Sequence, residues 1–165
     1  MKKTILGAAS LAMVLMAACS GSPKTNMPGN TAKSDDQVFT GVLPAADADG
    51  VRYTLKLDYD DDKNNTEGDY DLLEVYLVGD STNATGYKDG ARFKSEGDFT
   101  VMNGTGANAA KKYIKLTQDA KDSSKGSNAG PMYFLVESDS TLVMVNAELE
   151  QSVMPGMNYT LKLVR

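Results

Sequence analysis

The chain has 165 residues, with 17 basic against 22 acidic side chains, no His and a single Cys. That length makes one domain of ordinary size with a tail, able to fold without a metal or a disulfide, and the acidic balance argues against nucleic acid as a partner, since neutralising phosphates needs clustered Lys and Arg. The lack of His excludes Ser–His and Cys–His catalysis, His-ligated zinc and imidazole pH switches, and a lone Cys excludes an intramolecular disulfide and a thiolate metal cluster.

Residues 1–19 read MKKTILGAASLAMVLMAAC. Lys2 and Lys3 form a positive start, and Ile5 to Met16 is an apolar run too short to span ~30 Å of hydrocarbon as a helix. Ala17 and Ala18 are the small residues a signal peptidase needs beside its cut. Met16-Ala17-Ala18-Cys19 resembles the lipobox of bacterial lipoproteins. The resemblance implies a signal peptide over 1–18 and a Cys19 that carries a diacylglyceryl group and becomes an acylated N-terminus, so that a membrane is the first partner. Two or more acyl chains anchor stably, where one does not. The mature chain would hold 147 residues, with 15 basic against 22 acidic side chains and a net charge of −7. Ser20, not Asp, resembles the sorting pattern for the outer membrane. Residues 19–36 are the lipidated N-terminus and a flexible tether rich in Gly, Ser, Pro, Asn and Thr, with an r.m.s. reach of roughly 20–25 Å.

From Gln37 the pattern is one of strands and turns, and residues 37–165 form the folded domain. Val38 to Leu43 is a short apolar run ended by Pro44. Val51 to Asp58 alternates strictly, with Val51, Tyr53, Leu55 and Leu57 on one face, the period of a half-buried strand. After a polar stretch, Tyr59 to Gly68, come Tyr70 to Val78 and Arg92 to Met102, the latter interrupted at Gly97, where a bulge is expected. Lys112 to Thr117 alternates again. Met132 to Glu137 and Thr141 to Asn146 flank a short turn, Ser138-Asp139-Ser140. Asn158 to Val164 closes the chain and repeats the string YTLKL of 53–57, as two amphipathic strands of one kind would. The pattern yields eight strand candidates in about 129 residues with no amphipathic helix to cover an open sheet. It predicts an all-β fold, an antiparallel up-and-down barrel of about eight strands, lipocalin-like, because closure removes both edges. A β-sandwich is the alternative.

The segment Phe39 to Leu57, FTGVLPAADADGVRYTLKL, resembles the start of the N-terminal domain of the copper-resistance lipoprotein NlpE family, typically G-x-L-P-C-A-D-C-x-G-I before an alternating strand. Gly41, Leu43, Pro44, Ala46, Asp47, Gly50 and Val51 occupy matching places. Looser likenesses follow in Tyr76-Leu77, in Glu96-Gly97-Asp98-Phe99 and in the hairpin around Asp139, Leu142 and Val143. The two family cysteines fall on Ala45 and Ala48. Alanines hold no soft metal and form no disulfide, so a copper or redox role tied to that motif is not inherited. The resemblance implies a barrel on a lipid anchor and little about ligand. The loop's Pro44, Ala45, Asp47, Ala48 and Gly50 form either a binding site on the barrel rim or a barrel-closing turn, in which Asp47 and Asp49 cap backbone N–H groups and Gly50 supplies a permissive backbone.

Two further patterns bear on metals. Asp58, Asp60, Asp62 and Asn64 stand at alternate positions, with Asp69 eleven residues after Asp58. They imitate a calcium loop, but Lys63 stands where the turn needs Gly and the flanks are strands; a weak Ca²⁺ site or a solvated loop is expected. Met154 and Met157 put two thioethers at M-x-x-M spacing, which suits Cu(I), and Met132 and Met144 would add to them if they face the same way; Met is equally a gap-filler in cores. No spacing selects an acid–base pair, so the chain reads as non-catalytic and without a cofactor. The leading expectation is an envelope lipoprotein of the NlpE type, in envelope or copper stress or in surface contact, acting through an envelope protein partner. The rival is a lipocalin-like carrier of a small apolar ligand. Interior size separates them: eight strands leave an interior either just filled or able to hold one small ligand.

Overall fold

The computed structural model describes residues 36–60, 64–119, 130–152 and 154–165. The leader, Cys19 and the tether up to residue 35 lie outside the described residues. Eight strands, β1 (Gln37–Leu43), β2 (Val51–Tyr59), β3 (Glu67–Gly79), β4 (Tyr87–Asn103), β5 (Lys112–Gln118), β6 (Met132–Ser138), β7 (Thr141–Val145) and β8 (Thr160–Leu163), close into a barrel in chain order. All neighbours are antiparallel, and Phe39 opposite Leu163 and Thr40 opposite Lys162 seal β1 to β8. This is the up-and-down barrel expected from the pattern; one closed sheet replaces the two packed sheets of a sandwich.

The strict alternation of β2 lies behind its inward set, with Val51, Tyr53, Leu55 and Leu57 buried and their neighbours partly exposed. Each strand sends a side chain to the centre: Phe39, Leu55, Leu72, Phe99, Ile114, Phe134, Leu142 and Leu161 are all 2% exposed or less. The middle of the barrel is therefore filled. The repeated YTLKL occupies β2 and β8, the two strands that flank β1, and both copies turn their leucines to the same core. One structural demand, made twice, accounts for the repeat.

Three expectations change. Gly97 stays in register, opposite Tyr70 and Gln118, so the bulge expected there is absent. In the β3–β4 ladder the register shift lies between Val75 and Leu77, where Tyr76 faces both Gly90 and Ala91, and a second shift lies between Val136 and Ser138 in the β6–β7 ladder. Strands β3 and β4 are also longer than the apolar runs suggested, because β4 begins at Tyr87 with Lys88-Asp89-Gly90 in the ladder. Finally, β5 to β7 are apolar on both faces. Tyr113, Leu135, Val143 and Val145 form a second buried cluster, capped by Leu149. Leu149 sits at φ 64, and Asn146 holds this turn by accepting the N–H groups of Glu148 and Glu150 at its Oδ1.

Candidate functional site

One end of the barrel gathers the β1–β2, β3–β4, β5–β6 and β7–β8 connections, and we call it the upper mouth. The 44–50 segment lies here. Asp49 N–H donates to the Leu77 carbonyl and Leu77 N–H to the Gly50 carbonyl, at 3.2 and 2.9 Å, while Gly79 N–H donates to Asp49 Oδ2 at 2.7 Å. The segment is thus clasped to the end of β3. Gly50 adopts φ +148, and a Cβ there would lie 2.8 Å from Val42 Cγ1, so the permissive backbone is required. Ala45 packs against the core, whereas Asp47 is exposed. Of the two aspartates, Asp49 caps a backbone N–H, and it does so on β3, not within its own loop.

At the same mouth an open cleft of about 350 Å³ is lined by Tyr53, Pro131, Met132, Tyr133, Met144 and Val145, among others. Met132 and Met144 do face the same way. Met154 and Met157 do not join them; they are 58% and 51% exposed, on a turn closed by the Met157 N–H to the Met154 carbonyl. On the wall of the cleft, Tyr53 stands opposite Glu74 in the β2–β3 register. Glu74 is 3% exposed and points into the barrel. The Tyr53 phenol is hydrogen-bonded to it, and burial, with the Glu74 charge second, pushes that phenol far above its ordinary range. The sequence reading missed Glu74, although counting by two from Tyr70 and Leu72 puts it on the inward face.

At the lower mouth a larger open cleft of about 830 Å³ is lined by Tyr59, Lys112, Leu163 and Arg165, among others. Asp36 is buried at its edge, 3.2 Å from Lys56 Nζ.

The calcium-like aspartates fall on the outer face. Asp58, Asp69 and Asp98 stand directly opposite one another across β2, β3 and β4; Asp62 lies outside the described residues. Burial raises the Asp69 carboxyl above its usual range, reinforced by Asp60, Asp98, Asp58 and Asp119. The strands thus add Asp98 and Asp119 to the pattern, residues too distant in sequence to be read as one group. Among the described residues no group of three or more such side chains converges closely enough to hold a metal ion. The row is a site of repulsion: with a raised carboxyl, the charged form is disfavoured in the folded state, so stability is gained as pH falls through that titration and lost above it. Asp69→Asn should therefore stabilise the domain at neutral pH by up to about 1 kcal/mol. Urea melts check this, and the gain should shrink at high salt as screening weakens the repulsion; equal midpoints for both proteins at low salt would show that the carboxylates do not repel.

The chain matches the NlpE N-terminal domain family over residues 39–153. No curated protein and no solved structure matches it.

Proposed function

The chain belongs to the NlpE N-terminal domain family, which points to a protein of the bacterial envelope, and from that premise we propose a non-catalytic lipoprotein, held by a lipid on Cys19 in the outer membrane, that acts through contact with an envelope protein partner in envelope or copper stress. The observation that carries this proposal is the filled interior, to which every strand contributes a side chain 2% exposed or less. A barrel whose centre is occupied has its surface left for recognition. The upper mouth offers that surface: Val42, Val78, Tyr87, Met154 and Met157 are exposed there, whereas Val164 lies at the other end. Contiguous exposed apolar groups mark interaction sites more often than scattered ones do.

The anchor is tested by Cys19→Ser. That variant should fold as the parent does and move from washed membranes to the soluble fraction, because anchor and barrel are separate in sequence. A Cys19→Ser protein that still pellets with membranes would remove the lipid from the proposal.

A second reading, carriage of a small ligand, is favoured by the cleft of about 350 Å³ at the upper mouth, which is of the size small-molecule sites have.

A further inference from the structure

Apolar walls account for most of the upper cleft, but not for the buried acid bonded to its Tyr53. Glu74 is 3% exposed within the barrel. An ionised carboxylate taken out of water needs a counter-charge or several hydrogen bonds, at a cost of several kcal/mol if it has neither. Its two oxygens offer about four acceptor sites, and the Tyr53 phenol fills one. The cations of the neighbouring strands are committed elsewhere, Arg52 and Arg92 to Asp89, Lys56 to Asp36, Lys88 to Asp80 and Lys94 to Asp71 and Glu96. Among the described residues no ion pair includes Glu74.

Tyr53 joins the two features, since it lines the cleft and bonds to Glu74. We propose that the upper cleft binds a small amine with an apolar body, its ammonium held by Glu74 and Tyr53 and its body among Met132, Met144 and Tyr133. The assignment rests on the ligand-carrier reading and names the class of ligand. Three physical terms favour an ammonium. It supplies the counter-charge that Glu74 lacks among the described residues. Aromatic faces such as those of Tyr53 and Tyr133 attract cations, more strongly where water is excluded. The chain's net charge of −5 draws cations toward the protein and repels carboxylates. Thioethers are polarizable and adapt to apolar bodies of irregular shape.

The test uses the full-length protein in detergent and three probes that differ only at the head: phenethylamine, phenethyl alcohol and hydrocinnamate. Binding is read by calorimetry at neutral pH. The amine should bind about tenfold or more tightly than the alcohol, the carboxylate weakest of all. Glu74→Gln, which keeps the shape and an acceptor for Tyr53, should lose that preference and bind amine and alcohol alike. Amine and alcohol bound equally by the parent would overturn the ammonium assignment while leaving a ligand site. Failure of all three probes to bind would overturn the carrier reading and the assignment with it. A Glu74→Gln protein that keeps the preference would place the amine elsewhere. Should Glu74→Gln fail to fold, the amine-to-alcohol ratio in the parent still decides, and Met144→Phe, which narrows the cleft without touching the acid, should weaken both probes together.

Discussion

Phe134→Ala lowers the stability of the barrel by about 3–5 kcal/mol. Phe134 is 0% exposed, at the middle of β6, between Ile114 on β5 and Met144 on β7 in the ladders. A barrel has few ways to collapse onto a void, because every strand is hydrogen-bonded on both sides, so the cavity cost adds to the lost transfer energy. The measurement is a urea melt with an unchanged slope and a lowered midpoint, and a loss of this size shifts the thermal midpoint by roughly 10–20 °C. The same variant probes function. A dry void of ring size binds benzene, so benzene should restore part of the loss in Phe134→Ala and do nothing for the parent. A cost below about 1 kcal/mol would mean that the centre of the barrel is loosely filled, and the contact reading would lose the observation that carries it.

What was legible in the sequence, and what was not, follows from the distance over which each signal acts. Alternation is local, so Val51 to Leu57 announced β2 and its inward face before any partner was known, and the count of such runs, with no helix to cover a sheet, led to closure. The family loop was legible as a run of residues, but its clasp to Leu77 and Gly79 joins segments about thirty residues apart, and no local pattern records that. Lys88-Asp89-Gly90 lies outside the apolar runs, yet β3 holds it in a ladder, where pairing overrides a weak local preference. The carboxylate row shows the same limit from the other side. Asp58 and Asp60 were visible as neighbours, whereas Asp98 and Asp119 reach them only because three ladders set the register. Glu74 is within reach of the period-two count from Tyr70 and Leu72, but its charge is no part of the apolar signal that marks an inward face.

Gly97 combines a steric with a conformational demand, since it sits at φ +159, and Gly97→Ala should cost roughly 2–3 kcal/mol. A Cβ at Gly97 would lie 2.2 Å from the Thr117 carbonyl oxygen, 2.9 Å from the Asp119 nitrogen and 3.0 Å from the Gln118 Cα. All three are backbone atoms, so no side chain can swing aside; β5 itself must retreat from β4. The pairing at stake is the upper end of that ladder, Gly97 opposite Gln118 and the Asp119 N–H bonded to the Glu96 carbonyl. Two controls weigh the two demands against each other. Gly86 has nothing among the described residues within 4 Å of a built Cβ but sits at φ +78, so Gly86→Ala should cost only the left-handed backbone, about 1–2 kcal/mol. Gly130 has neither a neighbour within 4 Å among the described residues nor a positive φ, and Gly130→Ala should stay within about 0.5 kcal/mol of the parent. Amide exchange adds the location: in Gly97→Ala, protection should fall first at the Asp119 amide, beside the β5 end of the ladder, with the β1–β2 amides unchanged. If Gly97→Ala melts with the Gly130 control, β4 and β5 do not approach as closely as the ladder requires, and the seam beside the upper mouth is looser than the rest of the barrel.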